Sequence, residues 1–168
     1  SGYNTRYALS QEYLFAGTPM MSMHVEGTDL YYDILFTSWT GGNQGGGFSY
    51  TRTLVNENGT PISFIELSAG EGLSDNSLFF EKDDYADYTS EENQDRITDN
   101  VWLTRQNQQP LYNAAVQDCY YCDTYDGQVY YQNNTEWYPG PTSQADSDNY
   151  MNFRDAKRVG DNMIYDGD

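Results

Sequence analysis

The most constraining feature of the sequence is the run from Leu30 to Trp39, in which large side chains point to both faces of an extended chain. One face of this run is continuously apolar or aromatic and consists of Leu30, Tyr32, Ile34 and Phe36. The opposite face carries the bulky side chains of Tyr31, Leu35 and Trp39. Because a strand with large residues on both faces is covered from both sides, we predict a central strand of a β-sheet.

The segments that follow this run predict a meander of antiparallel strands. A glycine-rich stretch, residues 40–47, separates the first run from a second alternating run, Phe48–Val55. Two extended runs on either side of one loop predict a hairpin, with the glycines as a flexible connector. Asn58–Gly59 marks the next turn, and Ile62–Leu67 is predicted to return as a third strand.

Further strand-like runs occur along the rest of the chain, at residues 20–26, 77–81 and 97–105 and on either side of Asp126–Gly127. About eight short strands separated by turns are typical of a sandwich. We therefore predict an all-β fold, an antiparallel β-sandwich of jelly-roll-like or immunoglobulin-like type with long acidic loops. The predicted core consists of Ile34, Phe36, Tyr50, Leu54, Ile65, Val101 and Leu103.

The length of 168 residues suits one domain. No internal repeat or second domain is evident, so residues 1–168 are interpreted as a single β-sandwich domain. Within it, residues 139–168 are polar, acidic and interrupted by Gly and Pro. We expect this stretch to form an irregular C-terminal extension.

The charge balance excludes several classes of partner. The sequence has 26 acidic and eight basic residues, for a formal net charge of −18. Such a chain lacks the basic stripe that nucleic acids require, and it has no run of roughly 20 apolar residues for membrane insertion. A surface this acidic repels itself unless cations neutralise it. Bound divalent cations or a high-salt environment would supply the neutralising cations. Both interpretations indicate a secreted or extracellular surface location.

Clustered aspartates provide candidate ligands for Ca²⁺, a cofactor that takes six to eight oxygen ligands from irregular loops. The carboxylates predicted to bind calcium are those of Asp83, Asp84, Asp87, Asp146, Asp148 and Asp155. None of the clusters has the spacing of an EF-hand loop. The alternative is a solvated acidic surface without a specific ion.

Exposed aromatic side chains would suit a sugar-binding platform, because flat rings match the apolar faces of pyranoses. The candidates for ligand binding are Trp137, Tyr138 and Tyr130, of which Trp137 and Tyr138 precede Pro139 in loop-like sequence and are expected to be exposed. His24 is the single histidine, and it is interpreted as a strand residue rather than a catalytic base. The sequence contains no nucleophile-elbow or phosphate-loop motif, and we expect no enzymatic activity.

Two short motifs concern covalent modification. Cys119 and Cys122 are the only cysteines, and a local disulfide in an oxidising compartment is the favoured interpretation over a redox or zinc site. Asn58 and Asn133 each begin a glycosylation sequon. The sequon would matter only in a source that glycosylates its secreted proteins.

Two segments of the chain carry a resemblance to known proteins. They are YYDILFTSWTGGNQGGGFSYTRT at residues 31–53 and ITDNVWLTRQNQQPLYNAA at residues 97–115. They resemble an uncharacterised β-rich module of large bacterial secreted and surface proteins of the adhesin type. The resemblance implies an extracellular module and no particular ligand. We therefore expect a non-enzymatic structural or adhesive module, stabilised by divalent cations and able to assemble with other copies or neighbouring domains. The alternative is a lectin-like carbohydrate-binding module that uses exposed aromatics and calcium to bind glycans.

Overall fold

The computed structural model describes residues 20–41, 43–62, 76–107, 109–120, 124–125, 128–129 and 134–157. Its strands, in chain order, are β1 (Met20–Val25), β2 (Tyr31–Trp39), β3 (Phe48–Val55), β4 (Ser77–Lys82), β5 (Asp95–Thr98), β6 (Val101–Arg105), β7 (Leu111–Asn113), β8 (Thr124–Tyr125), β9 (Gln128–Val129) and β10 (Thr135–Tyr138). Short 3-10 turns occur at Glu91–Asn93 and Thr142–Gln144, and residues 153–157 are helical.

Two antiparallel sheets form the body of the protein. The larger sheet has five strands in the order β10-β1-β2-β3-β4, and the smaller one has three in the order β5-β6-β7. All their strand pairs are antiparallel. The predicted all-β antiparallel sandwich is therefore confirmed, and so is the central position of β2 between β1 and β3.

The local strand predictions have mixed outcomes. The hairpin of β2 and β3 is confirmed, as is the pairing of β8 with β9 on either side of residues 126–127. The run at residues 97–105 is not one strand, because a turn at residues 99–100 divides it between β5 and β6. Residues 63–67 of the predicted third meander strand lie outside the described residues. The second neighbour of β3 in the sheet is β4.

The core lies between the two sheets and is rich in aromatic side chains. Five predicted core residues are at most 3% exposed, namely Ile34, Phe36, Tyr50, Val101 and Leu103. Leu54 is half-buried and packs against this cluster, and Ile65 lies outside the described residues. Five of the seven residues predicted for the core are therefore enclosed by the sandwich.

Trp39 is the exception to the alternation of β2. The register with β3 shifts between Phe36 and Ser38, and the hydroxyls of Thr37 and Ser38 both lie 2.7 Å from the hydroxyl of Ser49. Two residues opposite one partner constitute a β-bulge, which turns the following side chain to the other face. Trp39 consequently shares the core face with Phe36, at a ring-centroid distance of 5.8 Å. Its predicted position on the opposite face is wrong for this reason.

The end of the glycine-rich segment, residues 45–47, is buried and tightly packed, which corrects the expectation of a flexible connector for this part. The Gly45 N–H donates to Asn107 Oδ1, and the Gly47 N–H donates to Asp84 Oδ1, both at 2.9 Å. Gly45 has a φ of +106°, and a Cβ atom there would lie 2.6 Å from the Cβ of Asp84. Glycine is therefore needed at this position for both the backbone conformation and the close approach of the neighbouring chain.

The described part of the predicted C-terminal extension contributes to the core. Met151 forms a bridge to Trp137 of β10, with two backbone hydrogen bonds of 2.6 and 2.7 Å. Phe153 is 6% exposed and packs edge-on against Trp137, at a ring-centroid distance of 4.9 Å. Residues 151–157 therefore close one side of the sandwich, although their composition is polar.

A buried carboxylate joins the two sheets. The Tyr50 hydroxyl donates to Asp95 Oδ2 at 2.5 Å, and Arg52 Nε donates to the same oxygen at 2.8 Å. Arg52 Nη2 donates to Asp95 Oδ1 at 3.2 Å. Burial, followed by the charge of Asp95, holds the pKa of Tyr50 well above its usual value. This group connects β3 of the larger sheet with β5 of the smaller one.

Two further basic side chains are enclosed near the glycine segment. Arg105 is 3% exposed, lies 3.8 Å above the Trp39 ring and donates to the Gly47 carbonyl at 2.9 Å. Lys82 is 2% exposed, and its Nζ donates to the Gly46 carbonyl at 3.3 Å. Burial, followed by the charge of Arg105, lowers the pKa of Lys82. Two of the eight basic residues are thus enclosed and add little to the charge of the surface.

Candidate functional site

The first group of predicted calcium ligands is engaged in local hydrogen bonds. Asp84 accepts the Gly47 N–H, as described above. Asp87 Oδ1 accepts the backbone N–H and the hydroxyl of Thr89, at 2.9 and 2.6 Å, and its Oδ2 accepts the Ser90 hydroxyl at 3.2 Å. These bonds, led by the Thr89 hydroxyl, lower the pKa of Asp87. Asp83 is exposed. The carboxylates of Asp84 and Asp87 therefore organise turns.

The second group is exposed at the surface. Asp146 and Asp148 lie in the loop after the 3-10 turn at Thr142–Gln144, and Asp155 lies in the helical segment. Asp155 exchanges hydrogen bonds with Asn152, whose side-chain oxygen accepts the Asp155 N–H at 2.9 Å. In the part of the chain that the structure describes, no three His, Cys, Asp or Glu side chains are grouped closely enough to hold a metal ion. Calcium binding stays a prediction.

Of the predicted sugar-binding aromatics, Trp137 is buried. It is 1% exposed, and its Nε1 donates to the Thr135 hydroxyl at 3.2 Å. Its predicted exposure is wrong because β10 pairs with β1 and turns Trp137 into the core, opposite Met23. Tyr138, which directly follows, faces the outer side of the sheet and is half-buried. Tyr130 lies outside the described residues.

The outer face of the larger sheet carries a group of rings that the sequence alone did not reveal. We call it the tyrosine–histidine patch, and its members are His24, Tyr31, Tyr138 and Tyr150. The His24 and Tyr31 rings stack with centroids 4.3 Å apart and planes inclined by 11°. Tyr150 lies 6.5 Å from Tyr31 and 6.4 Å from Tyr138. Pairing of β1 with β2 and with β10 brings the first three side chains together, and the bridge between Met151 and Trp137 places Tyr150 beside them.

Carboxylates surround the tyrosine–histidine patch. His24 Nδ1 lies 2.6 Å from Glu136 Oε1, and its Nε2 lies 2.7 Å from the Thr28 carbonyl. Both ring nitrogens of His24 are therefore engaged with polar neighbours. Burial, then the charges of Tyr31, Glu136 and Asp33, raises the pKa of Tyr150 to about 12. The patch is therefore an aromatic surface in a negative environment.

The second surface feature is the edge of the larger sheet at β4. Among the described strands, β4 pairs with β3 on one side and ends the sheet on the other. Leu78 is 41% exposed and Phe79 is 59% exposed. The sequence signal was the uncharged piece "SLFF" within an acidic stretch, which predicted a short strand but not its place at an edge.

The modification motifs are only partly within the described residues. Cys122 lies outside them, so the predicted disulfide with Cys119 stays a prediction. Asn58 is exposed at the tip of the turn after β3. Asn133 lies outside the described residues.

In comparisons with known proteins, no family model, curated protein or solved structure matches the chain. Nothing in them bears on the resemblance to adhesin-type modules. Within the described ranges, no helix is long and apolar enough to span a bilayer.

Proposed function

We propose that the chain is a non-enzymatic structural or adhesive module that works outside the cell and assembles through the β4 edge. The observation that supports this proposal is that β4, the last strand of the larger sheet among the described residues, leaves Leu78 and Phe79 exposed. Edge strands present backbone groups that accept a further strand, and soluble proteins commonly block them with charges or prolines. In β4 the segment from Ser77 to Phe80 carries neither.

The charge distribution supports an environment that supplies cations. The net charge is −18, and Lys82 and Arg105, two of the eight basic residues, are at most 3% exposed. Neighbouring acidic modules repel one another over the Debye length, which falls from about 10 Å at 0.1 M salt to about 3 Å at 1 M. Assembly of this module therefore requires salt or divalent cations, which is consistent with a secreted protein.

Sedimentation velocity over a range of protein concentrations, at low and at high NaCl, tests this function. We expect the natural chain to associate more strongly at high salt, and Phe79→Lys to weaken the association at least tenfold. Val116→Lys is the matched control, because Val116 is 48% exposed but lies away from β4. A strictly monomeric chain under all conditions would overturn the proposal.

A carbohydrate-binding module is the second candidate, and the tyrosine–histidine patch favours it. Tyr138 and Tyr150 present rings 6.4 Å apart on the outer face, whereas the buried Trp137 is unsuitable. A glycan array with the natural chain, Tyr138→Ala and Tyr112→Phe as a control tests this candidate. Saturable binding that is lost only in Tyr138→Ala would support it, and absence of binding to every glycan would remove it.

A further inference from the structure

We propose that the tyrosine–histidine patch binds an organic cation, a quaternary ammonium group of the choline type, at the rings of Tyr31, Tyr138 and Tyr150. Such a group carries a positive charge, an apolar surface of methyl groups and no N–H donor. The ligand goes beyond the proposed assembly, because the patch lies on β10, β1 and β2, at the side of the larger sheet away from β4. Three features of the patch support it: the arrangement of its rings, the charges around them and the partners of those charges.

The tyrosine rings of the patch are inclined to one another and partly exposed. Tyr31, Tyr138 and Tyr150 are each half-buried. The Tyr150 ring is tilted by 55° against Tyr31 and by 58° against Tyr138, with centroids 6.5 and 6.4 Å away. Favourable contacts between a cation and an aromatic ring extend to about 6 Å from the ring centroid. One cation can therefore lie within range of Tyr150 and of a second ring at the same time.

His24 holds the Tyr31 ring in place. The two rings stack almost in parallel, at a centroid distance of 4.3 Å. The histidine ring is itself held, because its Nδ1 lies 2.6 Å from Glu136 Oε1 and its Nε2 lies 2.7 Å from the Thr28 carbonyl. A binding surface that is ordered before the ligand arrives loses less entropy on binding. The patch is therefore prepared for a rigid ligand.

Carboxylates make the patch attractive to a cation. Burial, followed by the charges of three carboxylates, raises the pKa of Tyr31. These carboxylates belong to Glu57, Asp29 and Glu136. Asp33 is among the charges that, after burial, raise the pKa of Tyr150. Even where the charge of Glu136 is balanced by His24, the other carboxylates remain, and their attraction adds to that of the rings.

The two carboxylates that act on Tyr150 already have partners within the protein. Glu136 faces His24, and Asp33 Oδ1 accepts the Thr142 N–H at 2.8 Å and the Thr142 hydroxyl at 2.7 Å. A primary ammonium is strongly hydrated and brings three N–H donors, which need acceptors once water is removed. A quaternary ammonium has no such donors and is stabilised by ring faces and nearby negative charge. The patch therefore suits the quaternary group better than the primary one.

Three matched ligands test the chemistry on the natural chain. They are choline, its neutral analogue with carbon in place of the ammonium nitrogen, and ethanolamine, which has a primary ammonium. Nuclear magnetic resonance of the chain with isotope-labelled tyrosine follows each titration at constant ionic strength. We expect choline to shift the signals of Tyr31, Tyr138 and Tyr150 saturably. The neutral analogue should bind at least fivefold more weakly, and ethanolamine should also bind more weakly than choline.

Two variants of Tyr150 test the location. Tyr150→Leu keeps an apolar side chain without the ring and should weaken choline binding about fivefold, whereas Tyr150→Phe keeps the ring and should retain it. Tyr85→Ala is the control. Tyr85 is 73% exposed and follows Asp83 and Asp84, and its N–H donates to the Gly45 carbonyl, past the end of β2 opposite to Tyr31. Its removal should leave choline binding unchanged.

The outcomes separate this ligand from the functions proposed above. Equal affinity for choline and its neutral analogue would overturn the inference, since charge would then play no part. Tighter binding of ethanolamine would also overturn it, because the carboxylates would then bind the ligand directly. A neutral sugar that shifts the same tyrosine signals, with no effect of choline, would favour the carbohydrate-binding candidate instead. Assembly through β4 is measured separately by sedimentation and is untouched by any of these results.

Discussion

Replacement of Asp95 by Asn is the sharpest test of how the two sheets are held together. The change keeps the size of the side chain but removes the negative charge that faces Arg52 and the Tyr50 hydroxyl. The side chains of Arg52 and Asp95 are only 14% and 5% exposed. Removal of one partner from such a buried pair costs about 3–5 kcal/mol, because the remaining charge is left uncompensated.

The magnitude expected here is near the lower end of that range. Arg52 keeps partial contact with solvent, and its guanidinium lies 5.5 Å from the centre of the Tyr32 ring. We therefore expect Asp95→Asn to lower the free energy of unfolding by about 3 kcal/mol. Tyr50→Phe removes one hydrogen bond and leaves the ion pair, so its expected cost is about 1–2 kcal/mol.

Urea unfolding followed by circular dichroism measures these differences. The matched control is Glu91→Gln, which removes an exposed pair with Arg96 at 3.4 Å, with side chains that are 76% and 34% exposed. Such surface pairs contribute about 0–1 kcal/mol. The double variant Asp95→Asn with Arg52→Met should recover part of the loss. An Asp95→Asn variant as stable as Glu91→Gln would refute the reasoning.

Three further predictions concern alkaline pH, the glycine segment and cations. The pKa of Tyr150 is raised to about 12 in the folded protein, above the ordinary tyrosine value of about 10. The stability that this shift contributes is fully present below pH 10 and is lost as the pH rises towards 12. Tyr150→Phe should therefore flatten the decline of the urea midpoint over that range. Gly46→Ala should cost roughly 1–3 kcal/mol more than Gly27→Ala through overpacking. Both glycines have positive φ, but only at Gly46 would a Cβ atom meet a neighbour, 2.4 Å from the Gln106 carbonyl oxygen; equal melting temperatures would contradict this. Calcium should raise the melting temperature above that in NaCl of matched ionic strength, and equal effects would indicate adaptation to salt instead.

The sequence predicted those parts of the fold that depend on alternation. Ile34 and Phe36 lie in the core as their spacing requires, because β2 is regular up to that point. The sheet face on which Trp39 lies could not be predicted, since a one-residue bulge leaves no signal in composition. Trp137 was misassigned because its neighbour Pro139 suggested a loop, whereas pairing with β1 determines its burial.

The candidate site was harder to predict than the fold. Asp84 and Asp87 were grouped by proximity in sequence, but each carboxylate is directed to different backbone donors. His24 and Tyr150 meet across a separation of 126 positions, which no local pattern encodes. The apolar character of the "SLFF" piece was visible, but its exposure depends on the order of strands in the sheet.

The enclosure of Lys82 and Arg105 has a consequence for the chemistry of any ligand. With these two positive charges inside and a net charge of −18, the surface as a whole attracts small cations and disfavours other polyanions, although Arg96 stays exposed. We therefore expect sulfated or sialylated sugars to bind at the rings of Tyr138 and Tyr150 less well than neutral sugars. If the chain binds glycans, they should be neutral or carry amino groups.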